Sequence, residues 1–168
     1  MRLFFALWPD EPAAEKLAAL AAELAGLADG KPVARQKIHL TLAFLGDVDE
    51  SALAAAMQAP AGLEAAPFEV VLDQVGSFRG ARVAWAGCAE PSPALAGLQA
   101  RLARRLHALG FALDDRPFTA HVTLARKVRR ALGRRPAEPI AWRATEFALV
   151  RSELGKGSYT TLAGWKLG

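Results

Sequence analysis

The sequence predicts an α+β fold built on antiparallel sheets. Three segments have the character of helices, and seven short runs rich in branched and aromatic residues have the character of strands. Glycine-containing stretches such as GSFRG (76–80) and LGKGS (154–158) separate neighbouring runs in the way that hairpin loops do, and the strict alternation of a parallel βαβ sheet is missing. With 168 residues, the chain has the size of a single globular domain.

The three helices are predicted over 11–25, 49–59 and 93–109. The first follows Asp10, which is a favourable N-cap, and the second begins with Asp49 and stops at Pro60. The third has leucines at steps of three and four residues, which form one apolar stripe along a helix: Leu95, Leu98, Leu102, Leu106 and Leu109.

The seven strands are predicted over 2–8, 37–45, 68–75, 81–87, 120–128, 145–154 and 159–167. The segment 129–141 contains two prolines and several arginines and shows no clear period. We therefore expect an exposed loop there.

Composition restricts the class of protein. Hydrophobic residues make up 52% and charged residues 23% of the chain, which is typical of a folded protein. No apolar run approaches the roughly 20 residues that a membrane span needs, and the N-terminal apolar stretch ends too early for a signal peptide. Cys88 is the only cysteine, which excludes an internal disulfide. We expect a cytoplasmic protein that is a monomer and does not bind membranes.

Charge is divided unevenly along the chain. Residues 1–84 contain 7 Lys and Arg against 11 Asp and Glu, whereas residues 85–168 contain 14 against 6. A basic half on a small domain favours an anionic partner, most often one that carries phosphate. A solvated arginine-rich face explains the same count equally well.

The most informative pattern is a repeated tetrapeptide. Two of the three histidines open HLTL (39–42) and HVTL (121–124). On a strand, residues i and i+2 share a face, so His39 and Thr41 project together, as do His121 and Thr123. The residues between and after them point into the core.

Two imidazoles and two hydroxyls suit chemistry at phosphorus. A neutral histidine accepts a proton while a protonated one donates a proton to the leaving oxygen. Threonine hydroxyls donate hydrogen bonds to phosphate oxygens. The chain lacks an HExxH motif and a cysteine cluster, so neither a zinc site nor any cofactor is expected. The alternative is that both imidazoles are buried and both threonines only favour strand formation.

The paired motifs resemble those of the two-histidine (2H) phosphoesterase superfamily, and within it the RNA 2′,3′-cyclic phosphodiesterases, also called 2′–5′ RNA ligases. Five blocks match in order: RLFFALWP, KIHLTLAFLGDV, GSFRGARVAWAG, FTAHVTLARKV and LVRSELGKGSYTTLAGWKL. Ala120 stands where many members have proline. The resemblance covers almost the whole chain.

This resemblance implies a single domain over 1–168 with two similar lobes, each with an antiparallel sheet and flanking helices, that face each other across a cleft. It implies opening of RNA or nucleotide 2′,3′-cyclic phosphates to 2′-phosphates without metal, with 2′–5′ ligation as a related reaction. His39 is then the general acid and His121 the base, while Thr41 and Thr123 hold the phosphate oxygens. A non-catalytic module that binds RNA ends, and a phosphodiesterase acting on a non-RNA cyclic phosphate, remain as alternatives.

Three further residues are candidates for substrate binding. Arg126 follows the second motif, although strict strand alternation turns it away from His121 unless a bulge intervenes. Tyr159 is the only tyrosine and begins the last predicted strand, and Phe78 is a candidate surface for stacking a base.

Overall fold

Among the described residues, three helices flank a nine-stranded antiparallel sheet, which confirms the α+β class. The structure is a computed structural model that describes residues 1–153, 155 and 157–168. The predicted hairpin loop 154–158 therefore includes two positions outside the described residues. The strand order is β7-β4-β5-β6-β3-β1-β8-β9, with β2 paired to β6.

The elements follow one another in this order along the chain. They are β1 (Arg2–Leu7), α1 (Glu11–Ala28), β2 (Lys31–Pro32), a 3-10 turn (Arg35–Lys37), β3 (Leu40–Asp47), α2 (Glu50–Gln58), β4 (Phe68–Phe78), β5 (Val83–Gly87), α3 (Pro93–Ala108), β6 (His121–Arg126), β7 (Arg135–Ala144), β8 (Glu146–Ser152) and β9 (Tyr159–Lys166).

All three helices begin at residues that cap them. The Asp10 side chain accepts a hydrogen bond from the amide of Ala13, and Asp49 accepts one from Ala52. Ser92 caps α3 in the same way, and the predicted leucine stripe of α3 is buried from Leu95 to Leu106. These caps satisfy amides that the first turn of a helix leaves unpaired. The α1 helix continues three residues past its predicted end because Asp29, in a left-handed conformation, closes it.

The sheet consists of two four-strand halves, β7-β4-β5-β6 and β3-β1-β8-β9. Among the described residues, the two halves are joined by one residue pair, Leu40 with Val122. Both of these side chains are fully buried in the core under the helices. The two motif strands therefore lie side by side at the centre of the sheet.

The prediction of an exposed loop over 129–141 is wrong in its second half. Residues Arg135–Ala144 form β7, which pairs with β4 at the edge of the sheet. An edge strand tolerates Pro136 and Pro139 because one side of its backbone has no neighbour. The buried residues alternate only at its end, at Ile140, Trp142 and Ala144, which is too short a stretch to reveal a strand in the sequence.

In the part of the chain that the structure describes, none of the helices combines the length and the apolar character that a membrane span requires.

Candidate active site

The two HxT motifs meet where the halves of the sheet join. The residue between histidine and threonine is Leu40 in one motif and Val122 in the other, and these two residues pair with each other. Because the strands are antiparallel, that register places Thr41 beside the His121 position and His39 beside the Thr123 position. His39 lies one residue before β3, after the 3-10 turn, instead of within a strand as predicted. The motifs are thus arranged head to tail around a local twofold.

Both imidazoles are held in one tautomer by their own backbone. Nδ1 of His39 lies 2.7 Å from the carbonyl oxygen of Lys37, and Nδ1 of His121 lies 2.7 Å from that of Thr119. A carbonyl oxygen only accepts hydrogen bonds, so each Nδ1 carries the hydrogen. Each Nε2 is therefore the nitrogen that exchanges protons with a ligand. In the neutral form, Nε2 of His39 accepts a hydrogen bond of 3.0 Å from the Thr41 hydroxyl.

A bulge follows the threonine in each motif. Between Thr41 and Ala43, β3 contains one residue more than β1 opposite it, and between Thr123 and Ala125, β6 contains one more than β5. Two consecutive buried residues result in each strand, and the residue after them returns to the face of the motif. That residue is Arg126 in β6 and Phe44 in β3, and both line the same cavity as the motifs. Strict strand alternation predicts that Arg126 points away from His121. The bulge instead turns Arg126 toward the cavity that the motifs line.

The cavity in front of the motifs, hereafter the cleft, has a volume of about 300 Å³. All four motif side chains line it, together with the predicted residues Arg126 and Tyr159. The sequence did not identify the six other lining residues, which are Arg2, Phe4, Val33, Lys37, Phe44 and Ser152. Among the described residues that line the cleft there are three Lys and Arg and no Asp or Glu, so the cleft suits an anion.

The aromatic environment differs between the two histidines. The ring of His39 stacks on Phe4 at 4.7 Å and meets Tyr159 edge-on at 5.5 Å, with Trp8 at 5.4 Å. These contacts fix the ring plane of His39 from several sides.

His121 is in edge-on contact with Phe78 at 5.2 Å. Phe78 also packs on Trp85 at 5.3 Å, and it is absent from the residues that line the cleft. The register nevertheless puts Phe78 on the same face of the sheet as Trp85, because Phe78 pairs with Val83 and Gly76 pairs with Trp85. The role of Phe78 as a surface for stacking a base stays a prediction.

Burial lowers the pKa of both imidazoles. Desolvation disfavours the imidazolium and is the main cause at His39 and at His121, while the backbone hydrogen bonds to Lys37 and Thr119 partly oppose it. The pKa of His39 is lowered further by the positive charge of Arg126 and by His121 itself. Each histidine therefore changes charge on the acidic side of its ordinary value. Within the described residues, no group of three His, Cys, Asp or Glu side chains is placed to hold a metal ion.

The fold is that of the two-histidine phosphoesterases. The chain belongs to the 2′-5′ RNA ligase superfamily, whose family model matches residues 8–156. The RNA 2′,3′-cyclic phosphodiesterase of Escherichia coli is 33% identical over 141 residues, covering 82% of this chain and 80% of the relative. The Archaeoglobus fulgidus protein of the same name is 35% identical over 133 residues, or 77% of this chain and 74% of the relative.

The crystal structure of Escherichia coli LigT complexed with 3′-AMP has a similar fold. The two structures superpose with a TM-score of 0.89 at 32% identity, covering 99% of this chain and 97% of that one.

Proposed function

We propose that the protein hydrolyses 2′,3′-cyclic phosphate ends of RNA or nucleotides to 2′-phosphates, without a metal ion. The observation that carries the proposal is the head-to-tail arrangement of two HxT motifs on one cationic cleft, in each of which Nδ1 is bound to a backbone carbonyl and Nε2 is the nitrogen left to exchange a proton. The names of the relatives support the substrate class, since both are RNA 2′,3′-cyclic phosphodiesterases.

The proton transfers divide between the two imidazoles. Nε2 of His121 takes a proton from a water molecule as the water oxygen bonds to phosphorus. The bond from phosphorus to O3′ breaks, and Nε2 of protonated His39 gives its proton to that oxygen. One water is consumed, and the product is a 2′-phosphate with a free 3′-hydroxyl. We assign the acid role to His39 on the family resemblance, and its pKa, lowered mainly by burial and further by the charge of Arg126, makes its imidazolium a stronger acid.

The threonines bind the phosphate oxygens on which charge accumulates. The Thr41 hydroxyl donates to Nε2 only while His39 is neutral, so when Nε2 carries the proton for O3′ the Thr41 hydroxyl hydrogen is available to the phosphate. Thr123 occupies the equivalent position in the other motif. Hydroxyl donors fixed on a central strand need no reorganisation as the charge develops.

The same steps produce a 2′–5′ linkage when an RNA 5′-hydroxyl replaces water as the nucleophile. The proposed activity therefore includes 2′–5′ ligation, carried out at the same site. We further propose that the protein is a cytoplasmic monomer with one domain over 1–168, and that Arg126, Tyr159 and Phe78 contribute to substrate binding.

The test is incubation with 2′,3′-cyclic nucleotides in excess EDTA, with the product identified by phosphorus NMR. A 2′-phosphate supports the proposal, and a 3′-phosphate retains hydrolysis but contradicts the assigned leaving oxygen. Activity that is confined to cyclic phosphates other than those of RNA and nucleotides would favour a phosphodiesterase for a non-RNA substrate. No product, together with salt-sensitive binding of RNA ends, identifies a binding module instead.

The matched variants are His39→Gln, His121→Gln and His107→Gln. His107 is exposed in the last turn of α3 and has no threonine two residues later, so its replacement controls for loss of an imidazole elsewhere. Loss of turnover in the first two variants only is the expected result.

A further inference from the structure

From the placement of cations around β6, we propose that the substrate is an RNA strand whose upstream phosphates run along Lys31, Arg126 and Arg134. These three residues, hereafter the cationic strip, come from β2, β6 and the loop before β7. The inference rests on the proposed function and extends it, because it selects an RNA strand over a mononucleotide.

Lys31 lies on the cleft face beside Arg126. The register of β2 against β6 pairs Lys31 with Arg126, and directly paired residues project to the same face of a sheet. Val33, two residues after Lys31, lines the cleft, which agrees with that orientation. Gly30 permits the approach, because a Cβ at this position would lie 2.8 Å from the carbonyl oxygen of Arg126.

Arg134 reaches the same face from the other edge of β6. Its guanidinium lies 5.3 Å from the centre of the Trp85 ring, and Trp85 pairs with Thr123 of the second motif. The indole is only 3% exposed, and the guanidinium of Arg134 is one of the groups packed over it. Contacts at 5.3 and 5.2 Å then lead from Trp85 through Phe78 to His121.

The loop that contains Arg134 is fastened to the β4–β5 hairpin. The Leu132 amide donates to Ser77 Oγ at 2.8 Å, and Ser77 Oγ donates to the Leu132 carbonyl oxygen at 3.2 Å. The Val128 amide donates to the carbonyl oxygen of Arg82 at 3.0 Å. The backbone of the loop is therefore held in place before any ligand arrives, which lowers the entropic cost of binding a phosphate through Arg134.

Charge favours this exit from the cleft over the opposite one. Within the described part of the chain, none of the three strip residues forms an ion pair with an acid. The neighbouring groove, which shares Arg2 and Ser152 with the cleft, has four carboxylates against two arginines and the ammonium of Met1. All three cations are paired: Met1 and Arg2 with Asp47 at 3.8 and 3.9 Å, and Arg151 with Glu153 at 3.5 Å. A phosphate chain is repelled there and attracted along the strip.

The chemistry of the strip matches RNA phosphates. Guanidinium and ammonium groups bind successive phosphates without reading the bases, and each phosphate contact on a single strand contributes about 0.7 to the slope of log affinity against log salt concentration. Removing Lys31 and Arg134 should therefore lower the magnitude of that slope by about 1.4 for an RNA long enough to reach both.

The test is fluorescence anisotropy with labelled RNAs that end in a 2′-phosphate, one a dinucleotide and one of about ten nucleotides, from about 50 to about 200 mM salt. The proteins are the parent chain, Lys31→Ala/Arg134→Gln and the control Arg135→Ala/Arg143→Ala. Gln at 134 retains cover over Trp85. Arg135 pairs with Val75, whose side chain lies in the helix-packed core, so Arg135 is on the other face, and Arg143 pairs with Glu69 at the far end of β4.

For the parent and the control variant, we expect a steeper salt dependence of affinity with the longer RNA than with the dinucleotide. For Lys31→Ala/Arg134→Gln, we expect the two RNAs to give the same salt dependence. The proposal would be contradicted if the parent bound both RNAs with the same salt dependence. It would also be contradicted if the control variant lost as much of the salt dependence as Lys31→Ala/Arg134→Gln. Thermal unfolding of each variant establishes that it is folded. Hydrolysis of a cyclic mononucleotide by the parent is measured separately. Failure of the proposed function is thereby distinguished from failure of the proposed RNA path along the cationic strip.

Discussion

Replacement of Thr41 by valine tests the role of the threonine hydroxyl with little change in shape. Thr41 is half-buried in β3, opposite Ala6 of β1, and its hydroxyl lies 3.0 Å from Nε2 of His39. Valine keeps the branched side chain that a strand favours and removes only the donor. The shape of the cleft is therefore retained, and the hydrogen bond that Thr41 is proposed to donate to the phosphate is lost.

The expected loss follows from the charge on the phosphate oxygens. Removal of one fixed donor to a developing oxyanion costs about 2.7–4 kcal/mol in the transition state, which is about a 10²–10³-fold fall in kcat. The folded state loses one hydrogen bond to a neutral imidazole, worth about 1 kcal/mol. Activity should therefore fall far more than stability.

The assay compares kcat and KM on a 2′,3′-cyclic nucleotide with the midpoint of urea unfolding for Thr41→Val, Thr41→Ser and Thr161→Val. Serine restores the hydroxyl and should recover most of the activity. Thr161 is an exposed threonine on β9 and controls for the same change outside the cleft. If Thr41→Val retains more than about a third of the parent kcat, the hydroxyl does not bind the oxyanion.

Three further outcomes are expected. The bell-shaped pH dependence of kcat/KM should be centred below the ordinary histidine value of about 6.5, because burial lowers the pKa of both His39 and His121; a centre at or above neutrality contradicts this. Because both pKa values are lowered in the folded state, the unfolded chain binds more protons than the folded chain just below about pH 6.5. The free energy of unfolding should therefore decrease as the pH falls. The decrease should be less steep in His39→Gln/His121→Gln, which lacks both imidazoles. Gly76→Ala should lower the free energy of unfolding by about 1–3 kcal/mol in urea, since its Cβ would lie 2.6 Å from the Trp85 ring, whereas Gly97→Ala, with nothing within 4 Å, should raise it; equal effects would contradict the packing.

The sequence predicted the motif residues because the HxT pattern occurs twice, and in extended backbone that spacing places histidine and threonine on one face. It also predicted the helix starts, since Asp10 and Asp49 act through local hydrogen bonds. Local chemistry of this kind is present in the sequence itself.

Features that depend on the partner strand were not predictable. The bulge that redirects Arg126 exists because β5 has one residue fewer opposite it, which no pattern within β6 shows. Phe44 could have been found by aligning HLTLAF with HVTLAR, since it follows Thr41 at the same distance as Arg126 follows Thr123. Contacts from β1, such as Phe4 on His39, depend on tertiary packing.

His39 and His121 are proposed to act together on one phosphate. The most direct measurement is kcat for His39→Ala, His121→Ala and the double variant on a 2′,3′-cyclic nucleotide in EDTA, with circular dichroism to establish folding. Groups that act as a unit are strongly non-additive, so each single variant should lose nearly as much activity as the double variant. Losses that multiply, or a single variant that keeps the parent's activity, would contradict the claim.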